Sequence, residues 1–302
     1  MTTPKTANRF MLCLLLWAIP ASLILIAISN AFPMSTGAFV ALSQVLIFGL
    51  PCILILIINR KRVKDILPMK KLGAKNFLLI VAMSLLAQPL MMLISTAAYQ
   101  VLPSVAVETI EGIAMDSNFL IALLFIAVVP SIFEELAFRG VIFAGYKEIP
   151  IFKAALINGL MFGMMHMDAH QFVHTAIYGF ILCFFVYYTK SIWSAVLSHF
   201  VLNSTQVSFL IWQQNQAPAE EYSTALALVI LGVIALVTTV VFVFIYNKFK
   251  LHNMSNIAVA EDDNDSIEPV PPAETPKRRL VTPALCVTVG IFLLMIALVH
   301  SV

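Results

Sequence analysis

The sequence predicts an all-α, polytopic transmembrane helix bundle, and three observations carry that prediction. Of 302 residues, 61% are hydrophobic and only 11% charged, and the mean hydropathy is +0.95. A soluble domain carries about 25% charged residues. The apolar residues fall into runs near the roughly 20 residues that a helix needs to cross a hydrocarbon core. Lysine and arginine alternate between successive loops, the pattern that sets the orientation of a multi-pass chain.

The first run, 10–29, follows Lys5 and Arg9. It is longer than the roughly 7–15 apolar residues of a cleaved signal, so it reads as a retained helix. Further runs at 37–58, 77–98, 119–146, 150–166, 171–188, 191–212, 224–246 and 280–300 make nine candidate spans, of which 150–166 and 171–188 are short and closely spaced. The loop 59–76 holds Arg60, Lys61, Arg62, Lys64, Lys70, Lys71 and Lys75, whereas 99–118 has no base and carries Glu108, Glu111 and Asp116. Lys147 and Lys190 mark the next turns of the basic side, and 213–223 has only acids. The alternation predicts a multi-pass cell-membrane protein with a cytoplasmic N-terminus and, over nine spans, an outside C-terminus. The compact chain reads as bacterial.

Three parts follow: a membrane core over 1–247, an acidic, proline-rich stretch over 248–279, and an additional C-terminal helix over 280–302. The middle part contains E-D-D-N-D-S-I-E and P-V-P-P-A-E-T-P and reads as a disordered cytoplasmic linker. It lacks the central glycine and ligand ladder of a calcium loop. Cys13, Cys52, Cys183 and Cys286 lie in apolar runs without a CxxC pair and read as buried small hydrophobes. No basic, aromatic-interleaved surface points to nucleic acid. The basic loop 59–76 offers headgroup attraction of about 1 kcal/mol per charge, with topology signalling as its simplest role. The expected partners are the bilayer and a membrane-bound peptide or protein; the sequence does not specify an oligomeric state.

Ionisable groups inside a span are expensive and are functional candidates by default. Here they cluster between 134 and 203: Glu134, Glu135, Arg139, Asn158, His166, His170, His174, His199 and Asn203. In S-I-F-E-E-L-A-F-R-G, Glu135 and Arg139 stand at i, i+4 and share a helix face, so they can pair. Glu134 is rotated about 100° away, where an apolar setting suits a carboxylate to accept a proton. A single structural cluster of all three charges is the competing reading. Phe162 lies one turn before His166 and is placed to pack on its imidazole. His199 and Asn203, again at i, i+4, can offer two neutral donors to an oxyanion or join two helices. Together these groups can activate a water and hold a tetrahedral intermediate. Glu134, His166 and His199 are also a zinc-type donor set with one position left for water, although no H-E-x-x-H motif is present. His166, His170 and His174 form an i, i+4, i+8 ladder, but M-D-A-H-Q reads as a turn that breaks it. His170 and His174 are expected at the mouth of a site or at the interface.

These elements resemble the CPBP family of intramembrane proteases, also called the Abi or CAAX prenyl endopeptidase family. Its pattern is E-E-x-x-x-R, F-x-x-x-H and H-x-x-x-N/D, and it stands here as Glu134-Glu135-Leu136-Ala137-Phe138-Arg139, Phe162-Gly163-Met164-Met165-His166 and His199-Phe200-Val201-Leu202-Asn203. The likeness covers about 119–210. It implies an all-helical membrane endopeptidase in which Glu134 and His166 activate water and His199 and Asn203 hold the oxyanion, with a bound metal left open. It also implies a membrane-associated or lipidated substrate. The competing classes are a non-catalytic scaffold or bacteriocin-immunity factor and a proton-coupled transporter. One expectation conflicts with a common site. At about 1.5 Å per residue, Glu134 lies roughly 18 Å, His166 roughly 24 Å and His199 roughly 13 Å from the basic ends of their spans.

Overall fold

A chain in hydrocarbon must bond every backbone polar group within itself, so only helices and closed barrels cross a bilayer. The computed structural model describes residues 3–102, 104–214, 224–257 and 279–299; their regular structure is helical, apart from one isolated bridge between Met69 and Ser191. The main helices are α1 (Pro4–Ala31), α2 (Thr36–Ile58), α3 (Ala74–Tyr99), α4 (Val105–Asp116), α5 (Phe119–Ile142), α6 (Ile151–Met165), α7 (Ala169–Thr189), α8 (Trp193–Gln214), α9 (Thr224–His252) and α10 (Pro283–Val299). Among the described residues, seven of these are long and apolar enough to cross a membrane: α1, α2, α3, α5, α7, α8 and α9. The expected spans 150–166 and 280–300 appear as helices of 15 and 17 residues.

Local chemistry sets several of these limits. Ser35, Asn118 and Asp168 cap α2, α5 and α7 by accepting a backbone N–H with the side chain. Met167, at φ 52°, turns the chain sharply between α6 and α7, so the histidine ladder breaks there as expected. The stretch 99–118, read as an acidic connection, instead contains α4. Its Ile113 packs with Ala122, Ile126 and Val207, a burial too short in sequence to register as a span.

α9 continues beyond the expected 246, and helical turns extend to residue 257. Residues 248–257 of the expected linker are therefore ordered. Phe249 is buried against Phe185 and Tyr188, and Asn256 donates to the Tyr188 carbonyl at 3.0 Å. The rest of that stretch, 258–278, lies outside the described residues. The C-terminal helix α10 packs on α1: Asn8 Nδ2 donates to Leu280 O at 3.0 Å and Thr282 Oγ1 at 2.9 Å, and Phe292 meets Phe172. Tyr146 donates to the Asn8 side-chain oxygen. Burial pushes the Tyr146 phenol above its ordinary range, so it stays a donor.

Two prolines reshape their helices and recruit partners. In α2, a π-turn over Val45–Gly49 sends the Leu50 N–H back five residues to Val45, and Pro51 has no N–H to offer. Trp17 Nε1 of α1 fills the gap by donating to Leu46 O at 2.9 Å. In α5, a π-turn over Leu123–Val128 precedes Pro130. Pro130 cannot return an N–H to Ile126 O four residues back, and Asn203 Nδ2 of α8 donates to that oxygen at 3.0 Å.

α6 and α7 pack through Gly159 and Gly163, a small-xxx-small spacing that lets backbones approach. A Cβ on Gly159 would stand 2.6 Å from Ala176 O, and one on Gly163 would stand 2.7 Å from Phe172 O. Gly159→Ala should therefore destabilise the purified protein by about 1–3 kcal/mol, read as a lowered thermal midpoint in detergent. Gly290→Ala, where a Cβ meets nothing within 4 Å, should not lower it.

Candidate active site

The α5 segment after Pro130 carries Glu134 and Glu135 at the end of an α-helical turn and Arg139 inside a second π-turn, Leu136–Ile142. Glu135 and Arg139 are fully buried and paired, with Nη1 donating to Oε1 at 2.9 Å. Arg139 Nη2 donates to Gly179 O of α7 at 2.8 Å. Gly179 makes room for this, because a Cβ there would lie 2.9 Å from Nη2 and 3.0 Å from the Phe162 ring. The guanidinium lies over that ring, 4.4 Å from its centroid, a cation–π contact that strengthens away from water.

Phe162 of α6 is the hub. Its ring meets His166 edge-on at 5.0 Å, as its spacing predicts, and also His199 at 5.8 Å and Phe138 at 5.0 Å. Both imidazoles thus rest on one ring, which removes the apparent conflict of depth. α5 ends at Ile142 rather than 146, so Glu134 is nearer the basic end than its expected depth. Phe162, one turn closer to that end than His166, is the α6 residue that reaches the ion pair.

The histidines are oriented by different acceptors. His166 Nδ1 donates to Phe162 O at 3.0 Å, which leaves Nε2 with the lone pair of the neutral ring. His199 Nδ1 lies 2.8 Å from Glu135 Oε1. Glu135 therefore serves two partners, Arg139 and His199, and its carboxylate fixes the orientation of the His199 ring. Helical spacing alone suggested the pair with Arg139 but not this second bond. Asn203 spends one amide hydrogen on Ile126 O, leaving its second N–H for any oxyanion.

Glu134 is in the opposite situation. It is 6% exposed, and its Oε2 is buried with no hydrogen-bond partner among the described residues. Such a group is costly in a resting fold and is available to a bound water or substrate.

Buried polar residues one layer out hold this set. Asn158 Nδ2 donates to Phe138 O at 2.9 Å and its Oδ1 accepts from Cys183 Sγ, joining α6 to α5 and α7. Ser198, next to His199, meets Ser84 of α3 and Tyr178 of α7, each at 2.6 Å. Asn158 was visible as a polar group in a span, whereas Ser84, Tyr178 and Ser198 are common residue types whose meeting depends on three helices. His170, expected at the mouth or interface, is instead buried, with Nε2 3.0 Å from Ser95 O and Oγ of α3. His174 lies against His170. Among the described residues, no three His, Cys, Asp or Glu side chains converge to hold one metal ion.

Residues 116–205 match the type II CAAX prenyl endopeptidase Rce1-like family. The matched segment runs from the end of α4 into α8 and contains Glu134, Glu135, Arg139, Phe162, His166, His199 and Asn203. A Bacillus subtilis (strain 168) protein named "Putative membrane peptidase YdiL" is 34% identical over 108 residues, covering 35% of this chain and 43% of that relative. The likeness therefore spans less than half of the relative's length. No solved structure matches the chain.

The two adjacent glutamates should separate by stability. Glu135→Ala leaves a buried guanidinium and an imidazole unpaired and should cost about 3–5 kcal/mol, seen as loss of folded protein from membranes and a lower thermal midpoint. Glu134→Gln keeps the shape of a side chain whose Oε2 meets no hydrogen-bond partner among the described residues, and its abundance and midpoint should match the parent. Equal losses in the two variants would contradict the separation.

Proposed function

We propose that this protein is an intramembrane endopeptidase that hydrolyses a peptide bond of a membrane-associated or lipidated protein through a water activated by Glu134 and His166. The reading is carried by the buried Glu134 Oε2, which meets no hydrogen-bond partner among the described residues, on the residue next to the Glu135 that holds His199, while His199 and His166 both rest on Phe162. Glu134 removes a proton from water while His166 Nε2 orients it, and the hydroxide attacks the scissile carbonyl carbon. The oxyanion is met by the second N–H of Asn203 and by Nε2–H of His199. Because His199 gives Nδ1–H to Glu135, it donates from Nε2 as the imidazolium, with Glu135 as its counter-ion. As the intermediate collapses, the C–N bond breaks and the proton held by Glu134 passes to the leaving amine.

The family likeness supports a peptidase of the CAAX type, and the setting supports an apolar substrate. A cavity of about 330 Å³ opens between α5 and α8, lined by Val128, Ser131, Ile132, Trp193, Val196 and Phe200 among others. Ser131 lies one turn before Glu135, and Phe200 follows His199, so the cavity borders the two helices that carry these residues. The loops with Lys64, Lys147 and Lys190 share one end of the bundle, and the positive-inside rule assigns that end to the cytoplasm.

The test is cleavage of an internally quenched, prenylated CAAX reporter peptide by the purified protein in detergent, with mass spectrometry of new termini in the membrane proteome as a second readout. Glu134→Ala should lower kcat by about 10²–10⁴-fold at unchanged abundance. Asn203→Ala should lower it by about 10²–10³-fold. Full cleavage by Glu134→Ala in both readouts excludes this mechanism.

A further inference from the structure

The basic loop 59–76 also forms part of a cavity wall. A second cavity, of about 160 Å³, opens at the basic end of the bundle and is lined by Lys64 from that loop, Lys147 from the α5–α6 turn and Lys190 from the α7–α8 turn. Asp65 is the acidic residue in its lining, and Arg139 also lines it. Three loops far apart in sequence thus bring lysines to one small space. Their placement is enforced: Lys70 N donates to Lys190 O at 3.1 Å and Ile192 N donates to Pro68 O at 2.6 Å, clasping the basic loop to the α7–α8 turn. Lys190 is steadied over the Tyr187 ring, 4.6 Å from its centroid.

Arg139 is the second, independent indication of a ligand. Its Nη1 serves Glu135 and its Nη2 serves Gly179, but its Nε is buried and meets no hydrogen-bond partner of good geometry among the described residues. A buried donor left unpaired is costly, and here it belongs to a cation in a cleft where lysines outnumber the acid. The space is well below the roughly 300–1,000 Å³ of sites for whole drug-sized ligands, so it suits one compact anionic group. Lysine point charges around a planar guanidinium donor are the usual means of holding phosphate.

We propose that this cleft binds a phosphate group, presented by an anionic phospholipid headgroup or as free phosphate. Its occupancy touches the same guanidinium that holds Glu135 and, through it, His199. The binding is independent of the peptidase reading and is tested without activity.

The full-length protein, purified in detergent and phosphate-free buffer, is titrated with inorganic phosphate and followed by its thermal midpoint. In parallel it is placed in nanodiscs of phosphatidylcholine alone or with phosphatidylglycerol, and retained lipid is identified by native mass spectrometry. Lys64→Gln with Lys147→Gln should weaken binding by about tenfold or more. Lys71→Gln with Lys75→Gln, which also removes two positive charges but from residues outside the lining of the cleft, should leave it unchanged. Stabilisation by both ligands shows that free phosphate suffices; stabilisation by phosphatidylglycerol alone assigns the headgroup. No stabilisation of the parent by either, or equal weakening in the control pair, overturns the proposal.

Discussion

The buried contact of Glu135 with Arg139 and His199 is the constraint around which the core is arranged. Moving an ion pair out of water costs several kcal/mol per ion, recovered only when geometry is good and the remaining donors and acceptors are met. Each neighbouring helix contributes to that requirement. α5 supplies both charges one turn apart, α7 offers a carbonyl at Gly179, α6 supplies the face of Phe162, and α8 adds His199. Gly179 has no side chain because a Cβ would meet both the guanidinium and the ring. Among the described residues the arrangement leaves Glu135 Oε2 and Arg139 Nε without hydrogen-bond partners, so the cluster is incompletely satisfied at two atoms.

A second theme is the use of proline and π-turns as donors of free carbonyls. Proline removes an N–H from a helix, and in hydrocarbon no water replaces it. The Leu46 and Ile126 carbonyls are each satisfied from another helix, by Trp17 and Asn203. The defect in one helix becomes a bond between two. Asn203 is therefore a fastener of α8 to α5 as well as a candidate donor at the reaction centre, and the two roles use different hydrogens of one amide.

Much of this protein was legible in its sequence for identifiable reasons. Apolar runs report membrane helices because the bilayer tests each segment on its own length and hydropathy, so α1, α2, α3, α5, α7, α8 and α9 appeared near their expected places. The Glu135–Arg139 pair and the Phe162–His166 contact were legible because both lie within one helix, where a spacing of four residues implies a neighbour. The break after His166 was legible from turn chemistry. α4 was missed because a short helix with three acids looks like a loop to a hydropathy window. The helical end of α9 was missed because Lys248 and Lys250 read as the start of a polar linker, while Phe249, between them, faces inward.

By itself, then, the sequence determined the class of fold, the helices that carry ionisable groups, and the face of its own helix on which each group stands. Only the tertiary structure decided that His199 turns to Glu135, that Asn203 is bonded to Ile126, that both imidazoles share one phenyl ring, and that three distant lysines line one cleft with Arg139. The physical reason is that periodicity specifies direction around one helix axis. Which helix lies in that direction, and at what height, is set by proline defects, glycine contacts and the need to satisfy buried charge, all of which act between segments.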